Sequence, residues 1–137
     1  MTLFKHDTDN DKFEEYKKFE DHGLPVRDIS FSKDDTHIVS VSNDLHINLT
    51  DVETLKLVQS CTEHEDEIVC CSFHPNDEVF VTGSADNKIK VWDTKSRKCV
   101  NTLETHDDTV WSVRFSPDGK YLISGSEEGV FAISEFK

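Results

Sequence analysis

An all-β fold built from repeated small antiparallel sheets is predicted by three observations. The first is a strand–turn–strand window at residues 83–93, where alternation puts Ile89 and Val91 on one face and Lys90 and Trp92 on the other. The second is that this window recurs at a fixed step of 42 residues. The third is that polar turns, such as residues 74–77 and 116–119 with proline at the second position, separate the short apolar runs.

The step applies to serines, acids, histidines and phenylalanines alike. The repeated sets are Ser42, Ser84 and Ser126; Asp44, Asp86 and Glu128; His22, His64 and His106; and Phe31, Phe73 and Phe115. A self-similar unit of about 40–45 residues closed by a Trp-Asp pair is typical of a propeller blade. On these residues the chain resembles the WD-repeat family over nearly all of its length. The resemblance implies a β-propeller, of which this chain carries about three four-stranded blades out of an expected seven.

The chain departs from the family pattern at several positions. Only Trp92 keeps the tryptophan of the Trp-Asp pair, because Thr50 and Ser134 stand at the equivalent positions. The glycine that usually precedes the blade histidine is replaced each time, by Asp21, Glu63 and Thr105. These differences weaken individual blades rather than the resemblance as a whole.

The repeat assigns the strands in order, lettered a to d from the centre of each blade outward. Strands a are predicted at 26–31, 68–73 and 110–115, strands b at 38–42, 79–84 and 121–126, strands c at 46–49, 88–92 and 130–133, and strands d at 55–61 and 98–103. Before them we predict a strand c at 2–7 and a strand d at 13–20. Phe13, Tyr16 and Phe19 also have the spacing of a short amphipathic helix, which is the alternative there.

The resulting organisation is a partial propeller over residues 1–137. We expect residues 1–21 to be strands c and d of a preceding blade, 22–63 to be repeat one, 64–105 to be repeat two, and 106–137 to be repeat three without its outer strand. Three open blades would expose apolar faces and strand edges. The sequence therefore suggests part of a longer protein, or one copy in an assembly closed by other copies.

Composition excludes some classes of function. The net charge of −13 would repel a phosphate backbone, so we expect no direct contact with nucleic acid and favour basic protein surfaces as partners. No apolar run approaches membrane length, and the first residues lack the apolar core of a signal peptide. We therefore expect no membrane partner and an intracellular location, in the nucleus and the cytoplasm by resemblance. The four cysteines are expected to be reduced thiols, with Cys71 in the core.

His64, Ser84, Asp86 and Trp92 are the residues most suggestive of chemistry. Ser, His and Asp together could form a nucleophilic triad. The family resemblance implies instead a structural tetrad, in which carboxylate, imidazole, hydroxyl and indole are joined by buried hydrogen bonds. Partial tetrads are expected at His22, Ser42 and Asp44, and at His106, Ser126 and Glu128. We expect no enzyme activity and no cofactor. We also expect no metal site, because Cys71 and His74 lack a second ligand pair.

A partner-binding surface is expected at the entrances of the innermost strands, which in the family face the top of the propeller. Its predicted members are Arg27, Val69, Trp111, Pro25, Glu67, Thr109, Asn43, Ala85 and Glu127. Trp111 and Arg27 are the leading contacts because Trp and Arg often dominate interface energies. Trp111 could instead pack against a neighbouring blade.

Short matches at 23–27, 90–93, 97–100 and 106–111 resemble a subgroup of the family that serves as scaffolds in RNA-decay and transcription-elongation complexes. The implied function is a non-catalytic interaction scaffold whose partner is a helical-repeat subunit. The alternative is a substrate receptor of a cullin-type ubiquitin ligase. Those receptors commonly end a strand c in Trp-Asp-x-Arg, whereas Lys95 stands here and lacks the planar guanidinium fork.

Overall fold

The computed structural model describes residues 1–136, and these form thirteen β-strands and no helix. The strands are β1 (Thr2–Asp7), β2 (Lys12–Lys18), β3 (Val26–Phe31), β4 (His37–Ser42), β5 (Ile47–Asp51), β6 (Lys56–Cys61), β7 (Ile68–Phe73), β8 (Val79–Ser84), β9 (Ile89–Asp93), β10 (Lys98–Leu103), β11 (Val110–Phe115), β12 (Tyr121–Ser126) and β13 (Phe131–Glu135). Lys137, the last residue of the predicted repeat three, lies outside the described residues.

The strands form four antiparallel sheets, each wound in chain order. We call β1–β2 the leading hairpin, β3–β6 blade one, β7–β10 blade two and β11–β13 blade three. The all-β class and the predicted strand order are confirmed, and the segment around Tyr16 is a strand rather than a helix. β2 ends at Lys18, two residues earlier than predicted. The division into repeats at residues 22, 64 and 106 stays a prediction.

In each blade, the turn between strands a and b contains a residue with a left-handed backbone conformation. Asp35, Asp77 and Gly119 have φ values of 59°, 60° and 74°. Aspartate tolerates this conformation, but the position in blade three demands glycine for a second reason. A Cβ atom on Gly119 would lie 2.5 Å from Nε2 of His74, whose ring bonds the Gly119 carbonyl at 3.0 Å. The turn of blade three is therefore fitted against the turn of blade two.

A β-bulge interrupts the same position of every innermost strand. The ladder register shifts between Val26 and Asp28 in β3, and the equivalent shifts occur around Val69 in β7 and Trp111 in β11. A bulged residue has no partner in the ladder, and its side chain is re-aimed away from the regular alternation. The bulges thus redirect Arg27, Val69 and Trp111, three residues of the predicted surface.

The apolar core lies between the blades. One cluster joins Val39, Val41, Ile47 and Leu49 of blade one to Ile68, Cys71, Phe73, Phe80 and Trp92 of blade two. A second joins Cys70, Val81, Ile89 and Val91 of blade two to Val110, Val113 and Leu122 of blade three. Blade two is therefore apolar on both faces, as expected for a sheet packed between two others. The predicted core position of Cys71 is confirmed, since only 1% of the residue is exposed.

Candidate functional site

A continuous chain of buried hydrogen bonds crosses blade two. Nδ1 of His64 lies 2.7 Å from a carboxylate oxygen of Asp86. Nε2 of the same ring lies 2.7 Å from the hydroxyl of Thr82, and Nε1 of Trp92 donates to that hydroxyl over 2.9 Å. The four side chains link the loop before β7 to strands β8 and β9, so they fix the top of the blade to its middle.

The hydrogen-bonding capacity of each group gives a consistent arrangement of protons in this network. The indole N–H of Trp92 can only donate, so the Thr82 oxygen accepts from it and the Thr82 hydroxyl proton stays available for Nε2 of His64. Because the ionised carboxylate of Asp86 can only accept, Nδ1 carries a proton and donates it to Asp86. The network is complete with a neutral imidazole and an ionised carboxylate.

The predicted tetrad is wrong in its hydroxyl group. Ser84 is not bonded to His64, because its hydroxyl donates to the carbonyl of Asp66 and accepts from the backbone N–H of Asp86. Ser84 therefore stabilises the turn at the end of β8. The Thr82 side chain lies on the same face of β8 as Ser84, two residues earlier. Thr82 is the diagonal neighbour of Trp92 across the β8–β9 pair. Ser84 lies too far along the strand to reach the indole.

The same correction applies to the partial tetrads. His22 bonds Asp44 at 3.1 Å and Ser40 at 2.9 Å, not Ser42. In blade three, His106 bonds Glu128 at 3.0 Å and Ser124 at 2.8 Å, not Ser126. Ser42 donates to the Leu24 carbonyl and Ser126 to Glu128. The hydroxyls that sequence reasoning missed, Ser40, Thr82 and Ser124, also follow the step of 42 residues, and that was the available signal.

The tetrad carboxylates are held ionised. Burial raises the pKa of Asp86, but the hydrogen bonds from His64 and from the backbone N–H of Glu65 outweigh it and lower the pKa to about 2. In blade one, burial also raises the pKa of Asp44, and bonds from the backbone N–H groups of His46 and Gly23 lower it below the usual value. Bonds from Ser126 and His106 lower the pKa of Glu128.

This geometry is unsuited to nucleophilic catalysis. A serine nucleophile must lie within hydrogen-bond reach of its imidazole base and be open to a substrate. The hydroxyl that does reach His64 belongs to Thr82, which is fully buried and already holds the indole N–H. The buried hydrogen bonds can stabilise the blade, but none of these side chains is presented to a substrate.

The predicted top surface is assembled in pairs by the backbone. The N–H of Asn43 donates to the Pro25 carbonyl at 3.2 Å. The same bond joins Ala85 to Glu67 at 2.9 Å and Glu127 to Thr109 at 3.0 Å. Each bond closes the top of strands a and b in one blade. Six of the nine predicted residues therefore meet two by two along one rim of the molecule.

Trp111 and Arg27 are exposed on this rim, but Val69 is not. Trp111 is 46% exposed, and its indole N–H donates to the carboxylate of Glu127 over 3.2 Å. Val69 is only 9% exposed, so its predicted role as a contact surface is wrong in this structure. The short aliphatic side chain stays among its neighbours, whereas the longer side chains at the two equivalent bulges extend into solvent. The alternative that Trp111 is packed away against a blade is not what the structure shows.

The family model for the WD domain, G-beta repeat, matches residues 13–51, 55–93 and 97–133. The chain belongs to the WD40 repeat family. Each matched WD40 repeat begins near an outer strand and ends near a strand c, so it takes the outer strand of one blade together with three strands of the next. No curated protein matches the chain significantly. WD40 repeat proteins typically act as non-catalytic scaffolds for protein–protein contacts.

The WD40 blades are also joined by a polar link that sequence reasoning missed. A carboxylate oxygen of Asp28 accepts the backbone N–H of Cys71 at 3.0 Å, and Arg114 donates to the Cys71 carbonyl at 3.0 Å. Arg114 also lies 3.5 Å from Asp28. One side chain from blade one and one from blade three thus clamp the innermost strand of blade two.

Residues 1–136 contain no group of three or more His, Cys, Asp or Glu side chains that could hold a metal ion. The same residues include no helix long and apolar enough to cross a membrane. Burial raises the pKa of Cys61 to about 11 and that of Cys70 to about 12, so these free thiols are weak metal ligands and weak nucleophiles.

Proposed function

We propose that the chain is a scaffold subunit of a multiprotein complex and binds a helical-repeat partner subunit through its top rim. The short matches noted above resemble the WD-repeat subunit of the superkiller (Ski) complex, which the RNA polymerase II-associated factor complex shares. In a Ski-type complex the partner contact would let a helicase feed RNA to the exosome. Both complexes imply a protein that works in the nucleus and the cytoplasm.

The observation that carries this proposal is the exposed indole of Trp111. A large aromatic side chain that is half open to solvent, yet held in one orientation by Glu127, loses little entropy when a partner covers it. Such preorganised aromatic anchors dominate many interfaces. Arg27 at the equivalent bulge adds a second side chain of the type enriched at hot spots.

The charge around Trp111 indicates the chemistry of the partner surface. Glu67, Asp107, Asp108 and Glu127 are exposed on the same rim. Acidic residues around an aromatic anchor favour a basic surface on the partner and disfavour an acidic one. A helical-repeat subunit with Lys or Arg side chains beside an apolar pocket fits this rim.

The test is co-purification from cells that express the tagged chain. Trp111→Ala should reduce recovery of a large helical-repeat protein about tenfold, since hot-spot substitutions cost more than about 1 kcal/mol. Tyr121→Ala is the matched control, because Tyr121 is also 46% exposed but begins β12 at the end of blade three opposite the top rim. Circular dichroism should be the same for both variants. Equal recovery with the two variants would refute the proposal.

A further inference from the structure

A cavity of about 190 Å³ lies between blades one and two, at the end of the sheets opposite the top rim. Blade one contributes Ser32 and Asp34 from its first turn, and blade two contributes Phe73 and Asp77. Both sheets have four strands, so the walls of the cavity belong to complete blades. Ser32 and Phe73 are almost fully buried and form its deepest part.

The equivalent place between blades two and three is filled by the ring of His74. His74 stands 42 residues after Ser32 in the repeat. Its Nε2 lies 3.0 Å from the Gly119 carbonyl oxygen, and its Nδ1 lies 2.6 Å from Oδ1 of Asn76. The ring also meets the edge of Phe115, with centroids 4.8 Å apart. This place therefore accepts a flat group with two nitrogen atoms, between two oxygen atoms and an aromatic ring.

The cavity keeps those surroundings but lacks the ring. Through the 42-residue step, Phe73 corresponds to Phe115, while Asp34 and Asp77 take the positions of the two residues that supply the oxygen atoms. A serine in place of the histidine leaves the space open. The two oxygen-bearing groups at this seam are carboxylates, so the cavity favours a group that is positively charged as well as flat.

Both carboxylates are fixed in place and keep capacity for further hydrogen bonds. Oδ1 of Asp34 accepts bonds from the Thr36 hydroxyl, the Ser32 hydroxyl and the Thr36 backbone N–H, which lower its pKa to about 2. Within residues 1–136, Oδ2 of Asp34 accepts no bond. Each oxygen of Asp77 accepts one backbone N–H, from Lys33 at 2.7 Å and from Asp34 at 3.0 Å, and so retains a lone pair.

We propose that this cavity binds an arginine side chain of a partner protein. A guanidinium group is planar and always charged, it donates hydrogen bonds to carboxylates in a fixed fork, and it packs against aromatic rings. It thus combines the flat shape of the His74 ring with a charge that the two carboxylates match. A lysine ammonium carries the same charge but has no plane to lie against Phe73. The net charge of −13 favours a basic partner in general.

One positive charge of the chain itself lies at the mouth of the cavity. Lys95 is exposed there, and its ammonium opposes a cationic ligand but would attract an anionic one. Lys95→Ala should therefore strengthen binding of a cation about twofold. Weaker binding in this variant would show that the cavity takes an anionic group and would refute the proposal.

The probe is Nα-acetylarginine amide, which has the guanidinium group but no carboxylate. Titration into the full chain, followed by the NMR signals of the backbone amides of Lys33 and Asp34, should give saturable shifts. Binding should be at least about fivefold tighter than for Nα-acetyllysine amide. Nα-acetylcitrulline amide, a neutral ligand of the same shape, should not saturate. Equal binding of the arginine and citrulline ligands would overturn the proposal.

Asp34→Ala tests the carboxylate and should weaken the arginine ligand at least about fivefold. Asp118→Ala is the matched control, because Asp118 holds the same position in the turn of blade three. Its Oδ1 accepts bonds from the Ser116 hydroxyl at 2.7 Å and the Lys120 backbone N–H at 3.1 Å, but it does not line the cavity. An equal loss in the two variants would trace the effect to the general charge of the chain and refute the site.

A double exchange tests the cavity itself. Ser32→His with Asp77→Gly copies the His74 and Gly119 pair into the seam between blades one and two, and should abolish binding because the new ring fills the space. Both changes are needed, since a Cβ atom on Gly119 would lie 2.5 Å from Nε2 of His74. Retained binding in the folded double variant would refute the cavity as the site. If this variant does not fold, the Asp34→Ala result decides.

The same titration identifies a different source of the guanidinium group. Free arginine should bind more weakly than the blocked ligand, because its own carboxylate is repelled by Asp34 and Asp77. Tighter binding of free arginine would make the ligand a small molecule and refute a partner protein. Self-association of the chain that the blocked ligand reverses would assign the arginine to a second copy and refute a different partner. Trp111→Ala should leave these affinities unchanged, so the result is independent of the proposed function.

Discussion

The interface between blades one and two and the interface between blades two and three share one repeat but are packed differently. At the first, Trp92 stacks on Phe80 with ring centroids 6.1 Å apart and fills the space below the outer strand. At the second, Ser134 and Leu122 occupy the equivalent positions. A groove of about 810 Å³ lies there between Val91 and Leu103 of blade two and Ser134 of blade three. The outer part of the first interface is therefore closed by large aromatic residues together with β10, the outer strand of blade two.

Near the axis, the difference is reversed, because there the interface between blades two and three is the more closely packed one. Val41 fits between blades one and two, but blade two has Gly83 at that position. A Cβ atom on Gly83 would lie 2.6 Å from Sγ of Cys70 and 2.8 Å from a methyl group of Val110. The glycine lets blade three approach closely near the axis. Blades two and three are thus closely packed near the axis and separated by the groove at their outer edge.

The comparison shows that the tetrad and the core packing depend on one residue. Trp92 donates the indole N–H that completes the polar chain, and the same ring fills the apolar interface. Blade three keeps the His106–Ser124 and His106–Glu128 bonds but has no indole to add. The serine at this position therefore removes one hydrogen bond and one large apolar ring from the second interface.

The largest expected effect comes from making the first interface resemble the second. Trp92→Ser should lower the free energy of unfolding by about 3–5 kcal/mol, because it removes a fully buried indole and leaves a cavity. Trp111→Ser, which removes an exposed tryptophan, should cost less than about 1 kcal/mol. Urea unfolding at equilibrium measures both. Similar losses in the two variants would show that Trp92 does not close the interface.

The next prediction makes the second interface resemble the first at its centre. Gly83→Val should cost about 3 kcal/mol, because the added methyl groups collide with Cys70 and Val110. Gly125→Val is the matched control at the equivalent position of blade three, where no atom lies within 4 Å of the added Cβ. The control should leave the denaturation midpoint almost unchanged. A tolerated Gly83→Val would mean that the blades can separate near the axis without loss.

The smallest of the three expected effects is on the pH dependence of stability. It distinguishes the complete tetrad of Asp86 from the partial tetrad of Glu128. The carboxyl of Asp86 titrates near 3.8 when unfolded and near about 2 when folded. Its contribution is therefore fully present above pH 3.8 and is lost as the pH falls through about 2. This contribution is on the order of 2 kcal/mol.

The measurement is urea unfolding at successive pH values from neutral down to about 2, with Asp86→Asn as the variant. The variant should be less stable at neutral pH and should lose less stability on acidification than the unaltered chain. Glu128→Gln should change the pH dependence in the same direction but by less, since Glu128 is more exposed. If the unfolding free energies of Asp86→Asn and the unaltered chain change in parallel with pH, the ionised Asp86 carboxylate does not stabilise the fold.

The sequence predicted most of the fold because the repeat carries its own register. Alternation placed Ile89 and Val91 on one face and Trp92 on the other, and β8–β9 pairing has that arrangement. The tetrad hydroxyl was the main error. Thr82 and Ser84 lie on the same face of β8, so alternation alone cannot choose between them. The choice depends on which of them is the diagonal neighbour of Trp92.

The surface was predicted less well than the strands. Arg27, Val69 and Trp111 share one repeat position, and only the bulges and the neighbouring blades decide that Val69 is buried while Trp111 is half exposed. The clamp of Asp28 and Arg114 on Cys71 joins residues more than 40 apart in the chain. No local pattern shows such a link, because it depends on how the blades are stacked.

The sequence by itself determined the number, order and facing of the strands, since these follow from a period of two within strands and a period of 42 between blades. Only the tertiary structure decided which hydroxyl completes each tetrad, which rim residues reach solvent, and where an interface stays open. Those features depend on distances between separate sheets. Such distances are set by the sizes of side chains that meet only after the blades have packed.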